Sequence, residues 1–375
     1  MTSIGGAAQG MVDWNLAVAT ATRLVRPGPE VSRDEARAIV AELRRHAKSS
    51  EEHVRSFTRM ATDAEHDTPV MVVDRPGWVR ANVAGFRAVL KPLLEKMHER
   101  RGGGPGGAVL GAVGGKVTGV ELGMLLSFLA SRVLGQYETF APPTKDLPGS
   151  SNGGGRLLLV APNIVHVERE LDVDPHDFRL WVCLHEETHR TQFTGVPWLR
   201  DHLEGEIQSF LGETEVDPMT VLERFREAAS ALAGNKTEGA DDDAPSLVEI
   251  VQTPAQREIL GRLTAVMSLL EGHADYVMDG VGPGVVPSVG EIREKFKERR
   301  AKGASRLDMA LRKLLGLDAK LRQYRDGERF VRAVVDEVGM DGFNRVWTSP
   351  NTLPTKAEIA KPADWVARVH RKAES

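Results

Sequence analysis

Two histidines four residues apart, His185 and His189, with Glu186 directly after the first, stand in the otherwise apolar stretch WVCLHEETHRTQF, 181–193. In a helix, side chains at i and i+4 lie one above the other on one face. Two imidazoles so placed can share one cation at about 2.0–2.1 Å from each nitrogen. Glu186 falls about 100° further round the helix, where a carboxylate reaches a metal-bound water without being a ligand. The pattern H-E-x-x-H therefore supplies two zinc ligands and a general base. Asp174 and Pro175 give the segment a helix start, a capping side chain followed by the residue favoured at the first helical position. From there Phe178, Trp181, Val182, His185 and His189 share one stripe. Ionisable groups on an apolar face are costly unless paired or metal-bound, and two stacked imidazoles point to a metal.

A catalytic zinc takes three protein ligands and keeps one position open. The pattern H-E-x-x-H-x-x-G-x-x-H would supply a third histidine, but Gln192 and Gly195 occupy its last two fixed places. The alternative is a carboxylate from a second helix. TPAQREILGRLTAVMSLLEGHADYVMD, 253–279, opens with Thr253 and Gln256 in capping-box positions and Pro254 in the first turn. Leu260, Leu263 and Met267 define its apolar stripe, and Glu271 and Asp275 continue it. Two acids at i,i+4 on such a stripe repel unless a cation lies beside them. Glu271 as ligand, with Asp275 accepting a hydrogen bond from a ligand histidine, resolves that repulsion. Gly272 removes a side chain where the two helices must come close. The competing carboxylate is Glu206, near the stripe of Leu199, Leu203 and Phe210. Glu271 is favoured because it alone brings a partner for the imidazole.

These two helices belong to a largely helical pattern. SRDEARAIVAELRRHA, 32–47, opens with Ser32 and Glu35 as a capping box, and WVRANVAGFRAVLKPLLEKMHERR covers 78–101. Glycine- and polar-rich stretches at 101–107, 144–155 and 234–246 read as flexible loops. Glycines 111, 115, 119 and 123 share one helical face, which admits another helix at close range. The clearest strand signal is RLLLVAPNIVHVE, 156–168, two short β-rich runs around Ala161-Pro162-Asn163 that form either an edge for an extended peptide or an interior hairpin. The expected fold is mainly α with a small β-sheet, one domain over 1–375. It is divisible into a helical lobe, 12–140, and a lobe carrying the site, 156–348.

Composition narrows the function classes. A net charge of −4 and mixed-sign helical faces argue against nucleic acid as a partner. The single cysteine, Cys183, excludes an internal disulfide and a cysteine-based zinc cluster. Lys116 and Glu121 interrupt the apolar stretch 106–135, so stable membrane insertion is not expected. GAVGGKVT fails as a phosphate loop, because Leu110 and Val117 stand where glycine and Ser or Thr are needed. No basic region followed by an apolar run opens the chain, and a cytoplasmic location is the simplest expectation.

HEETH followed much later by LLEGHADY resembles the glutamate-type zincins, whose ligand helix often reads E-G-x-A-x-Y. More closely, VDRPGWVRANVAGF, RVLGQYE, LLEGHADYVMD and QYRDGERFVRAVVDEVGMDGFNRVW, together with the HEETH segment, resemble a family of bacterial zincin-like metallopeptidases frequent in actinobacteria. The subgroup it looks most like is named for association with biosynthesis of a deazaflavin coenzyme. The resemblance implies one Zn2+ per chain on His185, His189 and Glu271, with Glu186 as base. The expected activity is hydrolysis of a peptide or small amide. His273, Tyr276 and Tyr324 are candidate donors to the oxyanion that forms. The competing expectations are a catalytically silent, zinc-stabilised binding or scaffold protein and a membrane-associated factor using the glycine-rich helix.

Overall fold

A computed structural model describes residues 12–61, 68–100, 105–140, 155–213, 254–302 and 317–370, without the side chains of 96–100, 105–116, 300–302 and 317–325. Helices α1 (Trp14–Leu24) and α2 (Arg33–Thr58) precede strand β1 (Val70–Val73). Helices α3 (Arg75–Arg100) and α4 (Pro105–Ala130) lead to β2 (Gly135–Glu138) and β3 (Arg156–Val160). Then follow α5 (Ala161–Leu171), α6 (Pro175–Gly195), α7 (Pro197–Gly212), α8 (Pro254–Gly280), α9 (Val289–Lys302) and α10 (Leu317–Phe343). Two 3-10 turns and short helices α11 (Lys356–Ala360) and α12 (Pro362–His370) end the described chain. The fold is mainly helical with one small sheet, as the sequence leads one to expect.

The sheet has the order β1-β3-β2, with β1 parallel and β2 antiparallel to the central β3. Strand β3 reads RLLLV and buries Leu157, Leu158, Leu159 and Val160 completely, the near-continuous apolar run of a strand covered on both faces. Its alternating side chains join different cores: Leu159 packs with α2, α5 and α6, and Leu158 and Val160 pack with α1, α3 and α4. Being central, β3 offers no free edge. The second half of the expected strand pair is helix α5, entered through Pro162 in its first turn and closed by Asp172 at φ 51°. The β-branched residues Ile164, Val165 and Val167 are buried on that helix, so packing overrides their strand preference.

Two of the expected caps form, although the Glu35 carboxylate pairs with Arg169 instead of closing the capping box, and Thr253 lies outside the described residues. Asp174 accepts from the Asp177 amide at 2.9 Å and Ser32 from the Glu35 amide at 3.1 Å. The glycine face of α4 meets α1: a Cβ on Gly119 would lie 2.7 Å from the Asp13 carbonyl, and one on Gly123 would lie 2.7 Å from the Ala17 carbonyl. Gly111 and Gly115 lie outside the described side chains. Of the expected loops, 105–107 forms the first turn of α4, and 101–104, 144–154 and 234–246 lie outside the described residues. Among the described residues no helix is long and apolar enough to cross a membrane.

Candidate active site

Helix α6 runs beside α8, and the two present their functional side chains to each other. Phe178, Trp181 and Val182 of α6 are buried, so the face on which His185 and His189 sit is the packed one. The row on α8 differs from the expected one. Its buried residues include Ile259, Val266, Leu269, Leu270, Ala274 and Val277, and Leu260 and Met267 are exposed. Glu271 and Asp275 therefore lie on the open margin of α8 and keep 27% and 18% side-chain exposure. That margin lets a solute reach the carboxylates, which a fully buried row would not.

His185, His189 and Glu271 come together. Their ligand atoms lie within 4.8 Å of one another. The two Nε2 atoms are 3.2 Å apart, Glu271 Oε2 is 3.7 Å from His185 Nε2, and Glu271 Oε1 is 3.8 Å from His189 Nε2. Four ligands around a zinc at about 2.0–2.1 Å have mutual spacings of about 3.3–3.4 Å, and these three fit that figure with small adjustments. Asp275 Oδ1 stands 3.7 Å from His185 Nδ1, on the far side of that ring.

Glu206 is not in the cluster. Its carboxylate accepts from Arg262 Nε at 2.9 Å, nine residues before Glu271 along α8, or about 13 Å along the axis. Gly272 does mark a close approach, though to a different helix from the one expected: a Cβ there would lie 2.1 Å from the Gly327 carbonyl carbon of α10. Glycines face each other because the two backbones touch beside Glu271.

Gln192 organises the site from a place sequence reasoning used only to exclude a pattern. Its side chain is fully buried, and its Nε2 donates to the Leu270 carbonyl at 2.9 Å. A carbonyl can only accept, so Oε1 must face His189 and accept from Nδ1–H at 3.0 Å. The Nδ1 proton leaves His189 Nε2 with a lone pair directed at His185 and Glu271. Nε2 of Gln192 also lies 3.1 Å from His273 Nδ1. Burial, and secondarily His189, push His273 down to about 3, so it is neutral and accepts this bond. The i,i+3 spacing of His189 and Gln192 was the available signal.

Glu186 is buried and lies against the start of β2, where a Cβ on Gly135 would come within 2.5 Å of its Cγ. Burial, and then the negative charge of Glu271, hold its carboxyl well above the usual carboxylate range. Of the expected oxyanion donors, His273 is fully enclosed between Phe343 and Trp347 and is removed from that role. Tyr276 packs on Phe57 with Arg332 over its ring. Tyr324 lies on α10, three residues before Gly327, and its side chain is outside the described ones. A separate cavity of about 520 Å³ opens on β1, lined by Val73, Asp74, Arg80 and Arg156 among others, and shares no residue with the site.

The profile of the zincin-like metallopeptidase family matches residues 12–366. A crystal structure described as that of a candidate hydrolase with a novel fold, from Chloroflexus aurantiacus, superposes with a TM-score of 0.67 at 31% sequence identity. The match covers 96% of this chain and 99% of that one. Among curated proteins none is significantly similar. Both findings support a hydrolase, and the family implies a metal, typically zinc. The donor set suits that metal: two imidazole nitrogens and a carboxylate lie 3.2–3.8 Å apart, close to the mutual spacing of ligands around one ion. The chain belongs to the zincin-like metallopeptidase family.

Proposed function

We propose that the protein is a zinc-dependent hydrolase acting on a peptide or small amide, with His185, His189 and Glu271 as the metal ligands and Glu186 as general base. The observation that carries this reading is the convergence of those three donors at near-tetrahedral spacing beside a buried carboxylate. When bound, the ion supplies Lewis acidity and makes a water acidic enough to be deprotonated near pH 7. With the ion held there, Glu186 would be the residue to accept a proton from the attacking water and return it to the departing nitrogen. Gln192 holds His189 in the tautomer that ligates, and Asp275, 3.7 Å from His185 Nδ1, is the carboxylate placed to orient that ring. Tyr324, whose side chain is outside the described ones, is kept from the sequence as the proposed oxyanion donor.

Metal analysis of the purified chain tests the ligand set. Wild type and Glu206→Ala should each retain one tightly bound zinc after gel filtration, and Glu271→Ala should lose it. A peptide-library digest, with Glu186→Gln as control, tests the activity. Tight zinc retained by Glu271→Ala, or cleavage unchanged in Glu186→Gln, overturns the assignment.

A further inference from the structure

Helix α6 carries a second set of ligand-type side chains at its other end. His176 stands in its first turn, and Glu42 and His46 sit one turn apart on α2, which packs alongside. Glu42 Oε1 lies 2.9 Å from His176 Nδ1 and 3.4 Å from His46 Nε2, and the three donor atoms are all within 4.8 Å of one another. The rings meet edge to face at 4.6 Å between centroids.

Three observations separate this cluster from an ordinary hydrogen-bonded surface group. First, the His46 side chain is only 8% exposed, and its Nε2 has no hydrogen-bond partner among the described residues. A buried polar atom left so is costly, and 3.4 Å to Glu42 is too long to remove the cost. Second, His176 is 64% exposed, which leaves the cluster open to solvent on one side. Third, Arg179 Nη1 holds the other oxygen of Glu42, and Arg179 also binds both oxygens of Glu168. Glu42 Oε1 is thereby left to act as a single donor. Glu42, Glu168 and Arg179 together carry one net negative charge, a field that favours a dication, although Arg45 nearby opposes it.

We infer that Glu42, His46 and His176 form a second divalent-cation site, suited to a zinc-type ion through two imidazoles and one carboxylate oxygen with water completing the shell. An ion there satisfies His46 Nε2 and ties α2 to the first turn of α6, nine residues before His185. Its affinity is lower than that of a closed structural site, because Arg179 shares the charge of Glu42 and the coordination is open. The inference is independent of the hydrolase reading, since it uses none of the same residues.

The test is zinc titration of the chelator-stripped full chain, followed by metal analysis and thermal melting, in wild type, His176→Ala, His46→Gln and Glu271→Ala. His176→Ala removes an exposed side chain and should fold normally, which circular dichroism checks. It should bind one equivalent fewer than wild type at saturating zinc and lose the melting-temperature increment that this equivalent brings. His46→Gln should match it. Equal zinc uptake by wild type and His176→Ala overturns the site. One zinc lost from His176→Ala yet kept by Glu271→Ala upholds this site and sinks the other, and the converse pattern does the reverse.

Discussion

Helix α6 places two glutamates side by side and treats them oppositely. Glu187 faces α2, is 1% exposed, and accepts from Arg190 Nε through both oxygens at 3.0 and 2.8 Å. Arg190 is held in turn by Glu51 and the Thr68 carbonyl. Burial raises Glu187 to about 7, with Arg190 opposing the shift. Glu186 is also buried, but the neighbouring charge that acts on it is another carboxylate, Glu271, and no cation pairs with it among the described residues. One residue of rotation about the helix separates a carboxylate paired with an arginine from one whose neighbouring charge is another carboxylate. A buried acid without a cation is tolerated where function uses it, and its neighbour shows that the same helix could have supplied one.

Exchanging each glutamate for glutamine is the strongest way to break that contrast. Glu186→Gln keeps the shape and removes the proton acceptor, so activity should fall about 10²–10⁴-fold. Bound metal and folding should be unchanged, read as zinc content and urea midpoint. Glu187→Gln should leave turnover within a few-fold of wild type. At pH 7 relief of a buried carboxyl raised to about 7 works against loss of the Arg190 pair, which Glu51 still partners, so stability should change by about 1 kcal/mol or less. If Glu187→Gln abolishes turnover in a folded, zinc-loaded protein, or Glu186→Gln mainly unfolds it, the division of labour is wrong.

The site side of α6 has a support of its own, and its removal is a milder test. Gln192→Leu keeps the volume but removes the acceptor for His189 and the anchor to Leu270. Zinc affinity should fall about 10–100-fold, measured by competition with a chromophoric chelator. Gln192→Glu, which still accepts from His189, should recover part of that loss. An affinity unchanged in Gln192→Leu would mean that helix packing alone orients the ring.

What could be read from sequence was what short-range geometry determines. H-E-x-x-H on a capped helix fixes the positions of three side chains within two turns, and Glu271–Asp275 repeats that spacing on α8. Mainly helical structure followed from periodicity in the same way. The errors lie where a neighbour distant in sequence decides. Ile164, Val165 and Val167 look like a strand until a helical surface is available to bury them. Leu260 and Met267 look like a core row, yet α8 buries the row through Val266 and Leu270, which places Glu271 at an edge. Gly272 was recognised as a contact point, but its partner Gly327 comes from another part of the chain. Gly135 against Glu186, and Arg293 against Asp279, are contacts for which the sequence carries no local mark.

Asp279 extends the contrast to the facing helix and gives the smallest predicted effect. Glu271, Asp275 and Asp279 recur every four residues on α8: the first two face imidazoles, and the third pairs with Arg293 at 2.6 Å. Burial raises Asp279 from 3.8 to about 6, against the opposing pull of Arg293. A carboxyl whose folded value lies above its unfolded one gives the folded state the extra proton between the two values. Its contribution to stability is therefore fully present below about 3.8 and is lost as pH rises through about 6. Asp279→Asn removes that decline. The stability difference, variant minus wild type, should climb between pH 4 and 6 and then level off, as followed by urea unfolding in chelator so that metal release adds no slope of its own. At pH 7 relief of the buried charge and loss of the Arg293 pair offset, leaving a net change of about 1 kcal/mol or less. Parallel pH profiles for the two proteins would mean that Arg293 fully offsets the burial of Asp279, and that this carboxylate carries no cost that depends on pH.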